Sequence, residues 1–155
     1  MKQFCSTLFP IVAMLSSIQT ATAQAPVITA VTPLSQTVEQ WGKFEVKLDI
    51  TATWTNPYDY DEIRVTGTFT DPDGNARTAE GFFMQDYQLN NQTGALTPVA
   101  NGTFKLRFAP DKPGTWKYNL TCTNTGGTGT FPEQTFTVTP PASAKNKGFI
   151  RSNQT

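Results

Sequence analysis

Alternation restricts this chain more than any other feature. Between residues 44 and 53, Phe44, Val46, Leu48, Ile50 and Ala52 take every second position, and Glu45, Lys47, Asp49 and Thr51 fill the gaps. A period of two gathers the apolar set on one face of an extended strand, whereas a helix would scatter it around its circumference. The pattern returns at 63–70 with Ile63, Val65 and Phe69 inward, and at 103–108 with Phe104, Leu106 and Phe108 inward. It returns again at 115–123 (Trp116, Tyr118, Leu120, Cys122) and at 134–139 (Phe136, Val138). Asp71-Pro72-Asp73-Gly74 reads as a turn, because proline presets φ and glycine accepts the left-handed position, and a return strand follows over 75–83. Residues 85–100 lack a period and read as a long connection; Gly126 to Gly129 reads as a glycine-rich turn.

About seven short strands at intervals of roughly ten residues, with no helical segment between them, predict an all-β chain. The expected architecture is an immunoglobulin/fibronectin-like antiparallel β-sandwich with one wet face per sheet. The corner at residues 111–118 resembles the start of strand F in immunoglobulin-like domains, where an aromatic side chain bonds back to the backbone.

The first residues predict export. Met1 and Lys2 precede an apolar run from residue 8 to 18, which ends in the small-x-small sequence Ala21-Thr22-Ala23. That is the form of a signal peptide over residues 1–23, too short in its apolar part to span a bilayer. The sandwich is then expected over 24–140, with 141–155 as a linker and the truncated start of a following domain. The expected location is the periplasm, the cell surface or the outside of a Gram-negative bacterium. Taking Lys2 from the 12 basic residues leaves 11 against 12 acidic ones, and no basic run or stripe occurs. Neither nucleic acid nor a membrane is expected as a partner. Cys122 is the only cysteine after such a cleavage, so no intramolecular disulfide can form and the apolar core must hold the domain together.

Composition also restricts the chemistry. The chain has no histidine, which removes Ser-His-Asp and Cys-His nucleophiles and nearly all catalytic zinc arrangements. Cys122 falls on an inward position, where a buried, inert thiol is expected. Paired carboxylates would suffice for glycoside hydrolysis, and Asp59, Asp61 and Glu62 cluster, with Asp86 elsewhere. Acids in such loops are more often solvated turn residues, and a small sandwich seldom provides the cleft that shifts one pKa. Asp71-Pro72-Asp73-Gly74-Asn75 lacks the length and the bidentate glutamate of a calcium loop. No catalytic residue, metal or cofactor is therefore expected.

The aromatic residues divide into two sets. Phe44, Phe69, Phe104, Phe108, Trp116, Tyr118 and Phe136 fit the inward pattern. Trp41, Trp54, Tyr58, Tyr60, Phe83 and Tyr87 do not, and lie in loops or near strand ends. They would plug the ends of the sandwich, form the dry centre of a contact with a neighbouring domain, or present flat rings to a sugar. Trp54, Tyr58, Tyr60, Phe83, Asp86 and Tyr87 are the candidate binding or domain-interface residues.

The stretches Ala52-Thr53-Trp54-Thr55-Asn56-Pro57-Tyr58, Gly81-Phe82-Phe83-Met84-Gln85-Asp86-Tyr87 and Pro113-Gly114-Thr115-Trp116-Lys117-Tyr118 carry a resemblance. Phe104-Lys105-Leu106-Arg107-Phe108-Ala109-Pro110 and Phe136-Thr137-Val138-Thr139-Pro140 extend it. Together they resemble the N-terminal immunoglobulin-like domains of unknown function (family 5060) that precede the catalytic barrel of secreted bacterial glycoside hydrolases of the apiosidase-like type. The resemblance implies a non-catalytic accessory domain that packs on a glycoside hydrolase barrel absent from this chain, with Phe83, Asp86 and Tyr87 near the joint. The catalytic carboxylates of such enzymes lie in the barrel, so none is carried over. The alternatives are a stand-alone carbohydrate-binding module, built on Trp41, Trp54, Tyr58 or Tyr60, and a cell-surface interaction domain.

Overall fold

The computed structural model describes residues 23–143 and Gly148. Residues 1–22 of the expected signal peptide and most of the expected linker lie outside the described residues. Among the described residues ten strands form: β1 (Val27–Pro33), β2 (Thr37–Glu39), β3 (Phe44–Thr51), β4 (Ile63–Thr70), β5 (Ala76–Met84), β6 (Tyr87–Leu89), β7 (Leu96–Pro98), β8 (Thr103–Phe108), β9 (Gly114–Asn124) and β10 (Gly127–Thr139). Strands β4 and β8 have the bounds that alternation predicts. The all-β class holds, and the architecture is a β-sandwich with one sheet curled.

Eight strands make one continuous order, β1-β3-β8-β5-β4-β9-β10-β2, folded over on itself. The fold line is β5. Its first half, from Ala76 to Glu80, pairs with β4, while Gly81 to Met84 pair with β8 in the opposite layer. Strands that change sheets do so at bends, and a residue without a side chain eases the corner. A Cβ on Gly81 would come within 2.8 Å of Val65 and 3.2 Å of the Lys105 carbonyl.

The count exceeds the expected seven or so strands, for identifiable reasons. β1 was hidden because its register slips between Ile28 and Ala30, which breaks the period of two. β2 is three residues long and pairs with β10 in parallel, so not every pairing is antiparallel. The glycine-rich turn is shorter than expected: β10 already begins at Gly127 and pairs with β9 through a bulge between Phe131 and Gln134. Pro132, which cannot donate to a ladder, sits in that bulge. The connection over 85–100 contains a separate two-stranded ribbon, β6–β7.

The core lies between the layers and is strongly aromatic. Phe44 stacks on Phe136 at 3.8 Å, and Phe69 stacks on Phe108 at 4.1 Å. Trp116 is fully buried, and its indole N–H donates to the Lys112 carbonyl at 2.9 Å. The aromatic that bonds back at this corner is therefore a tryptophan. Cys122 is buried among these residues, and desolvation pushes its thiol up to about 11. Desolvation raises Tyr118 as well.

Candidate functional site

The sandwich has two ends of different character. At one, the β4–β5 turn meets the β8–β9 loop around the buried Asp71 carboxylate. Its Oδ1 accepts the backbone N–H groups of Asp73 and Asn75, each at 2.9 Å. Oδ2 accepts from Lys112 Nζ at 2.8 Å and from the Asn75 side chain at 3.0 Å. These bonds, Lys112 first, outweigh desolvation and hold the Asp71 carboxyl far below the ordinary carboxylate range. Lys112 also reaches Asp73 at 2.6 Å, and the two acids raise it to about 12. The Asp-Pro-Asp-Gly-Asn sequence is thus a turn whose acids are bound by a lysine.

The other end carries the rings that alternation left unassigned. Trp54 packs edge-on against Phe104 at 5.6 Å, and Phe83 does so at 5.2 Å. Both rings are half-buried and touch the core cluster. Tyr58 stands edge-on to Phe83 at 5.3 Å yet remains 61% exposed. Tyr60 is also exposed, and its hydroxyl donates to the Gly81 carbonyl at 3.1 Å. Beneath the two tyrosines lies an apolar recess of about 130 Å³, floored by Ile63, Val65, Phe83 and Phe104. Trp54, Tyr58, Tyr60 and Phe83 therefore share one end of the molecule.

The acids of this loop are engaged by its own backbone. Glu62 Oε2 accepts the N–H groups of Thr55 and Asn56, the latter at 2.9 Å. Asp59 Oδ1 accepts the N–H of Asp61 at 2.9 Å. Their role in the structure is to shape the loop that presents Tyr58. Among the described residues no group of three or more Cys, Asp or Glu side chains could hold a metal ion.

Asp86 and Tyr87 lie further out, where β5 leads into the ribbon. Asp86 pairs with Lys105 at 3.0 Å. Tyr87 opposes Pro98, and Leu89 opposes Leu96, across the ribbon. Residues directly opposite one another, or two apart on one strand, share a face. One face of the ribbon is consequently Tyr87, Leu89, Leu96 and Pro98, and every one of the four is exposed. Val99, just beyond, is exposed at 64%. Leu89, Leu96, Pro98 and Val99 escaped sequence reasoning. Their signal was a set of apolar residues flanking the turn-forming run Asn90-Asn91-Gln92-Thr93-Gly94.

Between the ribbon and the end of β1 the outer face of the curled sheet forms a groove of about 440 Å³. Glu45, Lys47, Thr103 and Lys105 line its floor, and Leu34 and Asp86 stand at its rims. Burial would raise the Glu45 pKa, but hydrogen bonds from Arg107 at 2.6 Å and Lys43 at 3.1 Å prevail and lower it.

The family described as Domain of unknown function (DUF5060) matches residues 37–123, more than half of the chain, and the chain belongs to it. The match runs from β2 almost to the end of β9, and so includes both ends of the sandwich and the ribbon. No curated protein matches the chain.

Proposed function

Starting from membership of this family, we propose that the chain is a non-catalytic accessory domain of a secreted carbohydrate-degrading enzyme, and that it packs on a glycoside hydrolase barrel. The observation that carries the reading is the ribbon face of Tyr87, Leu89, Leu96 and Pro98. Four apolar side chains on one uncovered face, beside a half-polar rim at Asp86 and Lys105, have the make-up of a protein–protein contact. The domain would act by orienting the barrel and extending the wall of its substrate cleft. Tyr58 and the aromatic recess are the second contact on the same end of the molecule.

The test is direct. A barrel made separately, from an enzyme that carries such a domain, is mixed with this chain and followed by calorimetry. Micromolar or tighter association, weakened at least tenfold by Leu89→Ser with Leu96→Ser, supports the reading. Absence of association at high micromolar concentration overturns it.

A carbohydrate-binding module is the second reading, and the exposure of Tyr58 beside Tyr60 favours it. Retention on a plant polysaccharide in affinity gels, lost in Tyr58→Ala, would support it; no retention on any glycan would end it.

A further inference from the structure

Trp41 has a large ring that the sandwich does not use. It belongs neither to the buried core nor to the half-buried side chains packed on it. Its backbone lies at φ 64, a left-handed conformation that it alone adopts among the described residues other than glycine. A glycine would hold that conformation without strain, and what tryptophan adds there is an indole.

The corner is firmly held. Trp41 N donates to the Pro110 carbonyl at 2.6 Å, Gln40 N donates to the Thr139 carbonyl at 2.8 Å, and Gln40 Nε2 donates to the Asp111 carbonyl at 2.6 Å. The residues around Trp41 are thereby tied to the β8–β9 loop on one side and to the end of β10 on the other. The ring shares a shallow ledge with Lys43, Arg107, Phe108 and Ala109.

Gly148 rests against this ring. A Cβ on Gly148 would stand 2.7 Å from both Cε2 and Nε1 of Trp41 and 2.9 Å from Cδ1. Its own φ is +80. Two separate requirements, left-handed backbone and contact with an indole, thus call for glycine at this position.

We propose that Trp41 is the docking residue for Gly148, its indole receiving the backbone of that glycine beyond the sandwich. The docked glycine ties the chain beyond β10 back to the corner at Trp41 at this one point. Ala142 N, directed at the Glu39 carboxylate at 3.4 Å, begins the same path. This inference stands on the contact alone and does not depend on what the domain assists.

The experiment is nuclear magnetic resonance on the full, isotopically labelled chain. The expected result is an upfield ring-current displacement of the Gly148 α-protons and an amide as ordered on the ps–ns timescale as those of β10. Trp41→Gly keeps the left-handed backbone and removes the ring. It should leave the thermal midpoint within a few degrees, abolish the displacement and release the Gly148 amide. Gly148→Ala lies outside the sandwich and should shift the Trp41 indole N–H signal without unfolding anything. Gly148 signals at flexible-chain positions in the natural protein would overturn the proposal. So would Gly148 signals unchanged in Trp41→Gly or, if that variant does not fold, an indole signal unmoved in Gly148→Ala.

Discussion

The two ends of the sandwich solve the same problem with opposite materials. At the Asp71 end a buried carboxylate, a lysine and an indole N–H lock the turn and the loop together. At the Tyr58 end aromatic rings meet edge to edge and leave a recess open. Charge-assisted hydrogen bonds are short and directional, so the first end admits one arrangement of its loops. Edge-on ring contacts add only about 0.5–1.5 kcal/mol each and carry no hydrogen bond, so the second end is held less tightly. The same contrast separates Trp116, whose ring is wholly enclosed, from Tyr58, whose ring is largely in water. One end is closed by charge-assisted bonds, and the other leaves Tyr58 and the recess open to solvent.

The largest way to break this contrast is Trp116→Ala. It opens a cavity beneath the locked end and removes the bond to Lys112, and should cost about 3–5 kcal/mol, read from the denaturant midpoint. Next comes Asp71→Asn, which removes the charge that Lys112 and the turn amides share. Its thermal midpoint at neutral pH should fall, by less than that of Trp116→Ala. The Asp71 pKa is depressed in the fold, so its contribution is fully present above the ordinary value of 3.8 and fades as pH falls below it. Asp71→Asn should therefore flatten the acid limb of the stability–pH curve. Lys112 gives the converse: raised to about 12, its contribution is complete below 10.5 and is lost as pH climbs towards 12.

At the other end the expected losses shrink. Tyr58→Ala removes one edge-on contact with Phe83 and should cost about 0.5–1.5 kcal/mol, measured by the same denaturation. Smallest is Leu89→Ser with Leu96→Ser on the ribbon, which should change stability by less than about 0.5 kcal/mol per site. A large loss there would mean that the ribbon is part of the core, and the contrast between the ends would fail.

How much of this was legible in the sequence depended on which periodicity each residue obeyed. Strands β4 and β8 emerged with their bounds because their apolar residues keep strict alternation against a buried layer. The register slip in β1 and the Pro132 bulge in β10 each interrupt that alternation, and reading a period cannot see through an interruption. β2 is specified by its neighbour β10, not by its own three residues. At the candidate site, Tyr58 and Tyr60 were found by elimination, since the core pattern had no position for them. That Trp54 and Phe83 lean on Phe104 was not legible, because Phe83 meets it only once β5 pairs with β8, and Trp54 only once the chain after β3 turns back over that pair. The apolar ribbon face was hidden for a related reason: Leu89 and Leu96 become neighbours only once the turn between them is formed.

The direction of the strands has a mechanical consequence. The chain approaches β1 at the Tyr58 end, where the Gln24 carbonyl accepts from Asn124 at 3.0 Å, and leaves β10 at the opposite end, beside Trp41. β2 and β10 run parallel. Tension applied between the two flanks of the domain would pull such strands lengthwise past each other and load their hydrogen bonds together. Peeling would load them one at a time. Strands arranged this way resist a pull along their axis and yield far more readily to a pull across it.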